Sequence, residues 1–172
     1  MKKAHYFYEG ETEEKLLRHL QSKKHLKPGR LRKYNLWETK FNLRRVINTN
    51  DHLFFFIDTD KTTCLSIFTK NIVSLEPYNI CLMVQHKTFE DELCFACGKK
   101  SNRALYNDFY PETGAKGFKK KFIKENSLDG KLVANNFDHK KLWSRKTDFD
   151  NFLVSKGISI KALYSIKASP LL

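Results

Sequence analysis

Two short acidic clusters hold the residues of this chain whose types and spacing are best suited to chemistry. The first covers residues 9–13, Glu-Gly-Glu-Thr-Glu, and the second covers residues 58–60, Asp-Thr-Asp. Each cluster directly follows an apolar, strand-like run. Clustered carboxylate oxygens suit Mg²⁺ or Mn²⁺ better than softer metals. The clusters therefore predict a metal site, while helix capping and turn formation by the same acids are the simpler alternative.

Alternating segments with strand-like and helix-like patterns position these clusters. Apolar runs predict strands at residues 4–8, 53–57 and 79–84, and a more polar strand is expected at residues 30–37, after the Pro-Gly turn. Helical spacing predicts helices at residues 12–20, 40–48 and 62–75 and from residue 89 onward. Thr12 is the expected N-cap of the first helix. The alternation predicts an α/β fold with a mainly parallel, Rossmann-like sheet flanked by helices.

The predicted topology brings the acidic clusters together. Ligand sites of α/β sheets form where the carboxyl ends of parallel strands meet the following loops. If the first and third predicted strands are neighbours, Glu9, Asp58 and Asp60 converge on one crevice. Glu13 lies one helical turn beyond the first loop and can join them.

The alternation of strand-like and helix-like segments weakens beyond Gly98. We therefore predict a core at residues 1–98 and a basic, helical C-terminal elaboration at residues 99–172 that packs on this core. In the elaboration, the predicted elements are a loop at 107–117, a basic helix at 118–126 and a short helical segment at 142–153.

A net charge of +13 makes a polyanion the natural partner. The positive charge is concentrated in the C-terminal part, where aromatic residues are interleaved with it. The candidate nucleic-acid-binding residues are Lys119, Lys120, Lys121, Lys140, Lys141, Arg145 and Lys146. Phosphate contacts from such residues give sequence-independent affinity for DNA or RNA. A solvated helix face whose aromatic residues belong to the core is the alternative.

Cysteine spacing argues against a zinc site, and the hydropathy of the sequence argues against a membrane-spanning or secreted protein. Of the four cysteines only Cys94 and Cys97 have the spacing of zinc ligands, and their apolar surroundings predict a buried helix face instead. The sequence contains neither an apolar run of the roughly 20 residues that span a bilayer nor a secretory signal. A cytoplasmic protein with no membrane partner is expected.

The two acidic motifs resemble those of the Toprim domain, which topoisomerases, bacterial-type primases and nucleases of the OLD family share. Residues 8–13, Tyr-Glu-Gly-Glu-Thr-Glu, are similar to the strand-end Glu-Gly element of that family, and residues 57–60, Ile-Asp-Thr-Asp, to its paired-Asp element. The resemblance covers about residues 4–98. Together with residues 88–90, Thr-Phe-Glu, at a helix start, the first motif looks most like the small OLD- and RloB-type Toprim proteins, many of them associated with phage defence.

This resemblance implies Mg²⁺-dependent phosphodiester chemistry. Glu9 matches the general acid/base glutamate of the family, Asp58 and Asp60 match its metal ligands, and Glu13 matches the second acid of the nuclease-like members. Glu90 is a weaker match for an auxiliary ligand. All five acids are thus candidate metal ligands, and Glu9, Glu13, Asp58 and Asp60 are also candidate catalytic residues.

The expected function is a metal-dependent nuclease that hydrolyses DNA or RNA as a phage-defence effector. One alternative is a non-catalytic nucleic-acid-binding or adaptor subunit of a larger complex, and another is a primase-like nucleotidyltransferase. The chain lacks a G-x-x-x-x-G-K-[ST] phosphate-binding motif. Since OLD-type nucleases often work with an ATPase, a separate ATPase or regulatory subunit is an expected partner.

Overall fold

Four parallel strands form one sheet in the part of the chain that the structure describes. The structure is a computed structural model that describes residues 2–42, 46–60 and 65–158. The strands are β1 (Ala4–Tyr8), β2 (Gly29–Lys33), β3 (His52–Asp58) and β4 (Asn79–Gln85). Their order in the sheet is β2-β1-β3-β4, and every neighbouring pair is parallel. The fold is therefore α/β, as the alternation of elements predicts.

Helices connect these strands and continue beyond them. The helices are α1 (Glu11–Ser22), α2 (Leu65–Leu75), α3 (Phe89–Ala96), α4 (Asn102–Phe109), α5 (Gly114–Lys124), α6 (Leu128–Ala134) and α7 (Phe149–Ser155), with a 3₁₀ turn at His139–Lys141 between the last two. None of the described helices is both long and apolar enough to cross a membrane.

The alternation of side chains along the strands gives the sheet two apolar faces. Tyr6 of β1 and Phe54 of β3 point to the first, which we call the α5 face because α1, α3, α4, α5 and α6 cover it. Phe7 and Phe55 point to the second, the α2 face, which α2, α7 and the turn after β2 cover. The rings of Phe7 and Phe55 stack with their centroids 4.4 Å apart. Such burial of large side chains on both faces explains why the central strands read as continuous apolar runs.

The C-terminal helices complete the same two hydrophobic clusters as the sheet. Phe109 of α4 and Phe118 of α5 are fully buried on the α5 face, and Leu153 of α7 is fully buried on the α2 face. Cys94 and Cys97 are also buried on the α5 face, as predicted. The C-terminal elaboration therefore contributes directly to the packing that surrounds the sheet.

Two predicted elements of the first hundred residues are wrong. The helix expected at residues 40–48 is absent from the described residues 40–42 and 46–48, which form turns and irregular backbone. There the N–H of Phe41 donates to Asn71 Oδ1 at 2.7 Å, so a side chain of α2 replaces a helical partner. Thr12 is not the N-cap of α1 either, because the helix begins at Glu11 and Gly10 is the cap residue.

Two predictions in the C-terminal part are also wrong. The loop expected at residues 107–117 is confined to four residues around Pro111, because α4 runs to Phe109 and α5 begins at Gly114. Burial of Phe109 and Phe118 outweighs the poor helix propensity of the neighbouring Asn and Gly residues. The segment 142–153 is helical only from Phe149 onward.

Candidate functional site

A cleft of about 150 Å³ opens at the carboxyl edge of the sheet. It is lined by Glu9, Asn35, Trp37, Glu38, Asp58, Asp60, Thr88 and Lys119. Three of the five predicted acids, Glu9, Asp58 and Asp60, thus share one cleft. The reason is strand order: β1 and β3 are neighbours in parallel register, so the residues that follow them lie side by side.

Glu9 follows β1 directly and has two unlike carboxylate oxygens. Its Oε2 accepts a hydrogen bond of 2.9 Å from Asn35 Nδ2, whereas its Oε1 is buried and has no hydrogen-bond partner. Burial and the neighbouring carboxylate of Glu13 raise the pKa of Glu9 to about 8. A pKa in this range lets the carboxyl group exchange a proton near neutral pH.

Asp58 is the last residue of β3 and lies in a similar environment. Its Oδ1 is buried without a hydrogen-bond partner. Burial, followed by the carboxylates of Glu13 and Glu9, raises the pKa of Asp58 to about 8. The backbone at this point is held in place, because Trp37 Nε1 donates to the Asp58 carbonyl oxygen at 3.2 Å.

Asp60 lies two residues further along, on the loop that leaves β3, and its side chain is exposed. Thr59 ties this loop to β4 by donating from Oγ1 to the Gln85 carbonyl at 2.9 Å. The backbone N–H groups of Thr59 and Asp60 both donate to the carbonyl oxygen of Lys87. Asp60 therefore lies on a loop that starts at Asp58 and is anchored to β4.

Glu13 lies behind the cleft rather than in its lining. Its Oε2 accepts the backbone N–H groups of Glu9 and Gly10, and its Oε1 accepts from Gln85 Nε2. Burial raises the pKa of this carboxyl group. Glu13 thus closes the turn between β1 and α1, in the manner of the third helical residue of a capping box. Its charge still reaches the cleft, since it is among the causes that raise the pKa of both Glu9 and Asp58.

Glu90 and Lys119 meet at the side of the cleft formed by α3 and α5. Glu90 is 3% exposed, and Lys119 Nζ lies 3.2 Å from its Oε1. The contact is an ion pair without hydrogen-bond geometry, because Glu90 Oε1 accepts no hydrogen bond. An ammonium group therefore lies among the acids of the cleft.

The acids of the cleft have the donor atoms that a divalent cation prefers, but their side chains do not converge on one point. Among residues 2–42, 46–60 and 65–158, no three His, Cys, Asp or Glu side chains are placed to hold a metal ion together. Even so, Glu9 and Asp58 both line the cleft, and each has a buried oxygen atom without a hydrogen-bond partner, which is costly unless a cation or a proton compensates for it. The oxygen-only donor set fits Mg²⁺ or Mn²⁺, with rotation of the carboxylates needed to complete it.

The six lysines among the predicted nucleic-acid-binding residues fall into three groups. Lys119 lines the acidic cleft, while Lys120 and Lys121 join Lys124 around a separate open cavity of about 470 Å³ beside Tyr110. The exposed side chains of the third group are those of Lys140, Lys141 and Lys146.

Arg145 is the predicted nucleic-acid-binding residue that is hydrogen-bonded to the buried Glu92. Its Nη2 donates to Glu92 Oε1 at 2.7 Å, and its guanidinium lies 4.7 Å from the centre of the Phe95 ring. Glu92, which is 1% exposed, also accepts the backbone N–H of Trp143. These contacts fasten the segment after the 3₁₀ turn to α3.

Three polar or charged cleft residues, Asn35, Glu38 and Thr88, and the aromatic residue Trp37 were not among the predicted site residues. Asn35, Trp37 and Glu38 belong to the turn that follows β2. Because β2 pairs in parallel with β1, the residues after β2 also reach the carboxyl edge of the sheet. The same strand-end rule that selected Glu9 would have identified this turn, had β2 been recognised as a neighbour of β1.

Comparisons with protein-family models, with curated proteins and with solved structures found no match to this chain. The chemistry of the cleft is therefore inferred from its own residues.

Proposed function

We propose that this protein is a metal-dependent nuclease that hydrolyses phosphodiester bonds in DNA or RNA. The observation that carries the proposal is the meeting of Glu9, Asp58 and Asp60 in one cleft, where two buried carboxylate oxygens lack partners. The strand-end positions of these acids agree with the Toprim-like motifs of the sequence. The role in phage defence that the same resemblance implies belongs to this proposal.

In this proposal three acids hold the metal ion, and one of them, Glu9, also accepts a proton. Asp58 at the end of β3 and Asp60 on the loop after it supply oxygen ligands, and Glu9, directly after the neighbouring strand β1, supplies a further oxygen. A bound Mg²⁺ or Mn²⁺ would screen the phosphate charge and promote ionisation of the attacking water. Glu9, which shares the cleft with both aspartates, would take up the proton that this water releases.

The basic residues support nucleic acid as the substrate. Lys119 brings a positive charge to the acidic cleft, where it can contact a phosphate oxygen. The cavity lined by Lys120, Lys121 and Lys124 offers further phosphate contacts on another side of α5. Binding through such residues depends on backbone charge, so its affinity is expected to fall steeply with salt.

A non-catalytic nucleic-acid-binding protein is the second candidate, and one observation favours it. In the described residues the acids do not form a ready-made metal site, and Glu90 is already paired with Lys119. In this case the acids would only shape the edge of the sheet, and the lysines would carry the function. Binding to nucleic acid would then be independent of metal.

The deciding experiment compares the parent protein with Asp58→Asn/Asp60→Asn on plasmid DNA, single-stranded DNA and tRNA, with Mg²⁺, with Mn²⁺ or with EDTA. Glu11→Ala/Glu76→Ala is the matched control, because it removes two exposed carboxylates that do not line the cleft. The nuclease proposal predicts cleavage by the parent and the control, dependent on metal, and none by the double Asn variant.

Two other results would decide against this proposal. Equal cleavage by all three proteins would indicate a contaminating nuclease or a different site. No cleavage by any of them, with equal, salt-sensitive binding in EDTA, would favour the non-catalytic candidate.

A further inference from the structure

The turn after β2 bridges the two strand ends that carry the proposed site. It comprises residues 34–38 and touches Glu9 on one side and Asp58 on the other. The contacts are made by Asn35 and Trp37, and neither residue belongs to an acidic motif. β2 itself is an edge strand, so the turn reaches across β1 to the end of β3.

Asn35 uses both ends of its amide. Its Nδ2 donates to Glu9 Oε2 at 2.9 Å, and its Oδ1 accepts the backbone N–H of Trp37 at 2.8 Å. A backbone N–H can only donate, so the amide oxygen must face Trp37 and the NH₂ group must face Glu9. The orientation of the amide is therefore determined by its surroundings.

Trp37 connects this amide to the other strand. Its indole Nε1 donates to the carbonyl oxygen of Asp58 at 3.2 Å, and its ring stacks on Phe68 with centroids 4.2 Å apart. The side chain is 2% exposed and so has little freedom to move. A continuous chain of hydrogen bonds thus runs from Glu9 through Asn35 and Trp37 to Asp58.

The turn has other supports that do not involve Glu9. Asn71 Nδ2 donates to the carbonyl oxygens of Leu36 and Thr39 at 2.8 and 2.7 Å. Tyr34 Oη donates to the Thr39 carbonyl oxygen at 2.9 Å. Since these bonds already hold the turn, the bond from Asn35 to Glu9 acts mainly on the glutamate.

We propose that Asn35 is a positioning residue for the reaction. It holds Glu9 by one oxygen and thereby fixes the position of the other, unpartnered oxygen, while the indole of Trp37 holds the turn to the end of β3. A glutamate side chain has three rotatable bonds, so without this contact Glu9 would spend time in other orientations. The inference rests on the proposed nuclease function and names a residue that the acidic motifs do not contain.

The test compares the parent with Asn35→Asp, Asn35→Ala and Tyr34→Phe. Asn35→Asp keeps an oxygen for the Trp37 N–H and replaces the donor to Glu9, whereas Asn35→Ala removes both contacts. Tyr34→Phe removes a bond from the same turn without touching Asn35 or Glu9. For each protein we would measure thermal unfolding, kcat and KM on the nucleic acid that the parent cleaves, and Mn²⁺ affinity by electron paramagnetic resonance.

For both Asn35 variants, the expected result is a loss of roughly 10- to 100-fold in kcat or in Mn²⁺ affinity, the range typical of groups that orient metal-binding carboxylates. KM for the nucleic acid should stay close to that of the parent. Tyr34→Phe should behave as the parent. If Asn35→Asp fails to fold, Asn35→Ala decides, and the reverse also holds.

Two results would overturn the inference while leaving the nuclease proposal intact. One is parental kcat and Mn²⁺ affinity in the folded Asn35 variants, and the other is an equal loss in Tyr34→Phe, which would assign the effect to the turn. A parent that neither cleaves nucleic acid nor binds Mn²⁺ would overturn the proposed function, and this inference with it.

Discussion

Two aspartates at opposite ends of β3 meet very different surroundings. Asp51 directly precedes the strand and is 2% exposed. It accepts hydrogen bonds from the backbone N–H groups of Lys3 and Asn48 and from His5 Nε2, at 3.0, 3.1 and 3.2 Å. Burial alone would raise the pKa of Asp51, but these donors outweigh it and lower the pKa.

Asp58, at the other end of the same strand, has the opposite balance. One of its oxygens is buried without a partner, and burial together with the nearby glutamates raises its pKa to about 8. The comparison teaches that a buried carboxylate oxygen does not by itself separate a structural aspartate such as Asp51 from one in the proposed site such as Asp58. The distinguishing feature is whether donors of the protein are directed at it, since an unsatisfied charge is kept only where something else compensates for it.

The largest expected effect that would sharpen this contrast comes from Asp58→Asn. Metal-dependent cleavage should fall by about 100-fold or more, because the loss of a ligand exceeds the loss of a group that merely orients one. Unfolding in urea at pH 8 without metal should show equal or greater stability than the parent, because an unsatisfied charge is removed. A clear loss of stability would instead make Asp58 a structural residue like Asp51.

At the amino end of β3, Asp51→Asn should lower the stability of the protein without changing the activity of the proposed site. The new amide would place an NH₂ group against N–H donors and leave buried groups unpaired, at a cost of roughly 2–3 kcal/mol in the free energy of unfolding. Urea unfolding measures this change. The activity of each folded molecule should match that of the parent; a selective loss of activity with parental stability would contradict the contrast.

Metal should stabilise the carboxyl end of the sheet in a pH-dependent way. The pKa values of Glu9 and Asp58 are raised from 4.5 and 3.8 to about 8, mainly by burial, so the folded state binds more protons than the unfolded state in this window. Without metal, this contribution makes stability fall as pH rises from about 4 to about 8.

Mg²⁺ at ten times its dissociation constant should restore about 1.4 kcal/mol at pH 8. Thermal unfolding with and without Mg²⁺ measures the effect, and Asp58→Asn is the control that should lose it. An equal Mg²⁺ response in both proteins would place the cation elsewhere.

The smallest expected effect is a pH dependence of stability with the opposite sign, caused by His5 beside Asp51 at the amino end of β3. Burial lowers the pKa of His5 from 6.5, despite its bond to Asp51, so the folded state favours the neutral ring. As pH falls below 6.5, the unfolded state binds the extra proton and stability is lost. The difference in unfolding free energy between the parent and His5→Gln, measured at pH 5, 6 and 7, isolates this term. A constant difference would show that His5 does not titrate between the two states.

Local pattern predicted the elements that are long, apolar and central. β1, β3 and β4, the body of α1 and the start of α3 lie where their sequences indicated, because each has an apolar pattern that no competing signal opposes. Prediction failed at the described residues 40–42 and 46–48 and at residues 107–117, where contacts with distant residues oppose the local pattern. Asn71 accepts a hydrogen bond from the backbone N–H of Phe41, which takes the place of a helical bond. Burial of Phe109 and Phe118 favours helix on both sides of Pro111.

The sequence by itself determined that acids follow two apolar strands in a strongly basic chain, since those features are local. Only the tertiary structure decided which acids are satisfied and which are not. The bond from Asn35 to Glu9 joins residues 26 apart, and the bond from Arg145 to Glu92 joins residues 53 apart. A hydrogen-bond donor acts over about 3 Å in space whatever its distance along the chain, so no local pattern could separate Asp51 from Asp58.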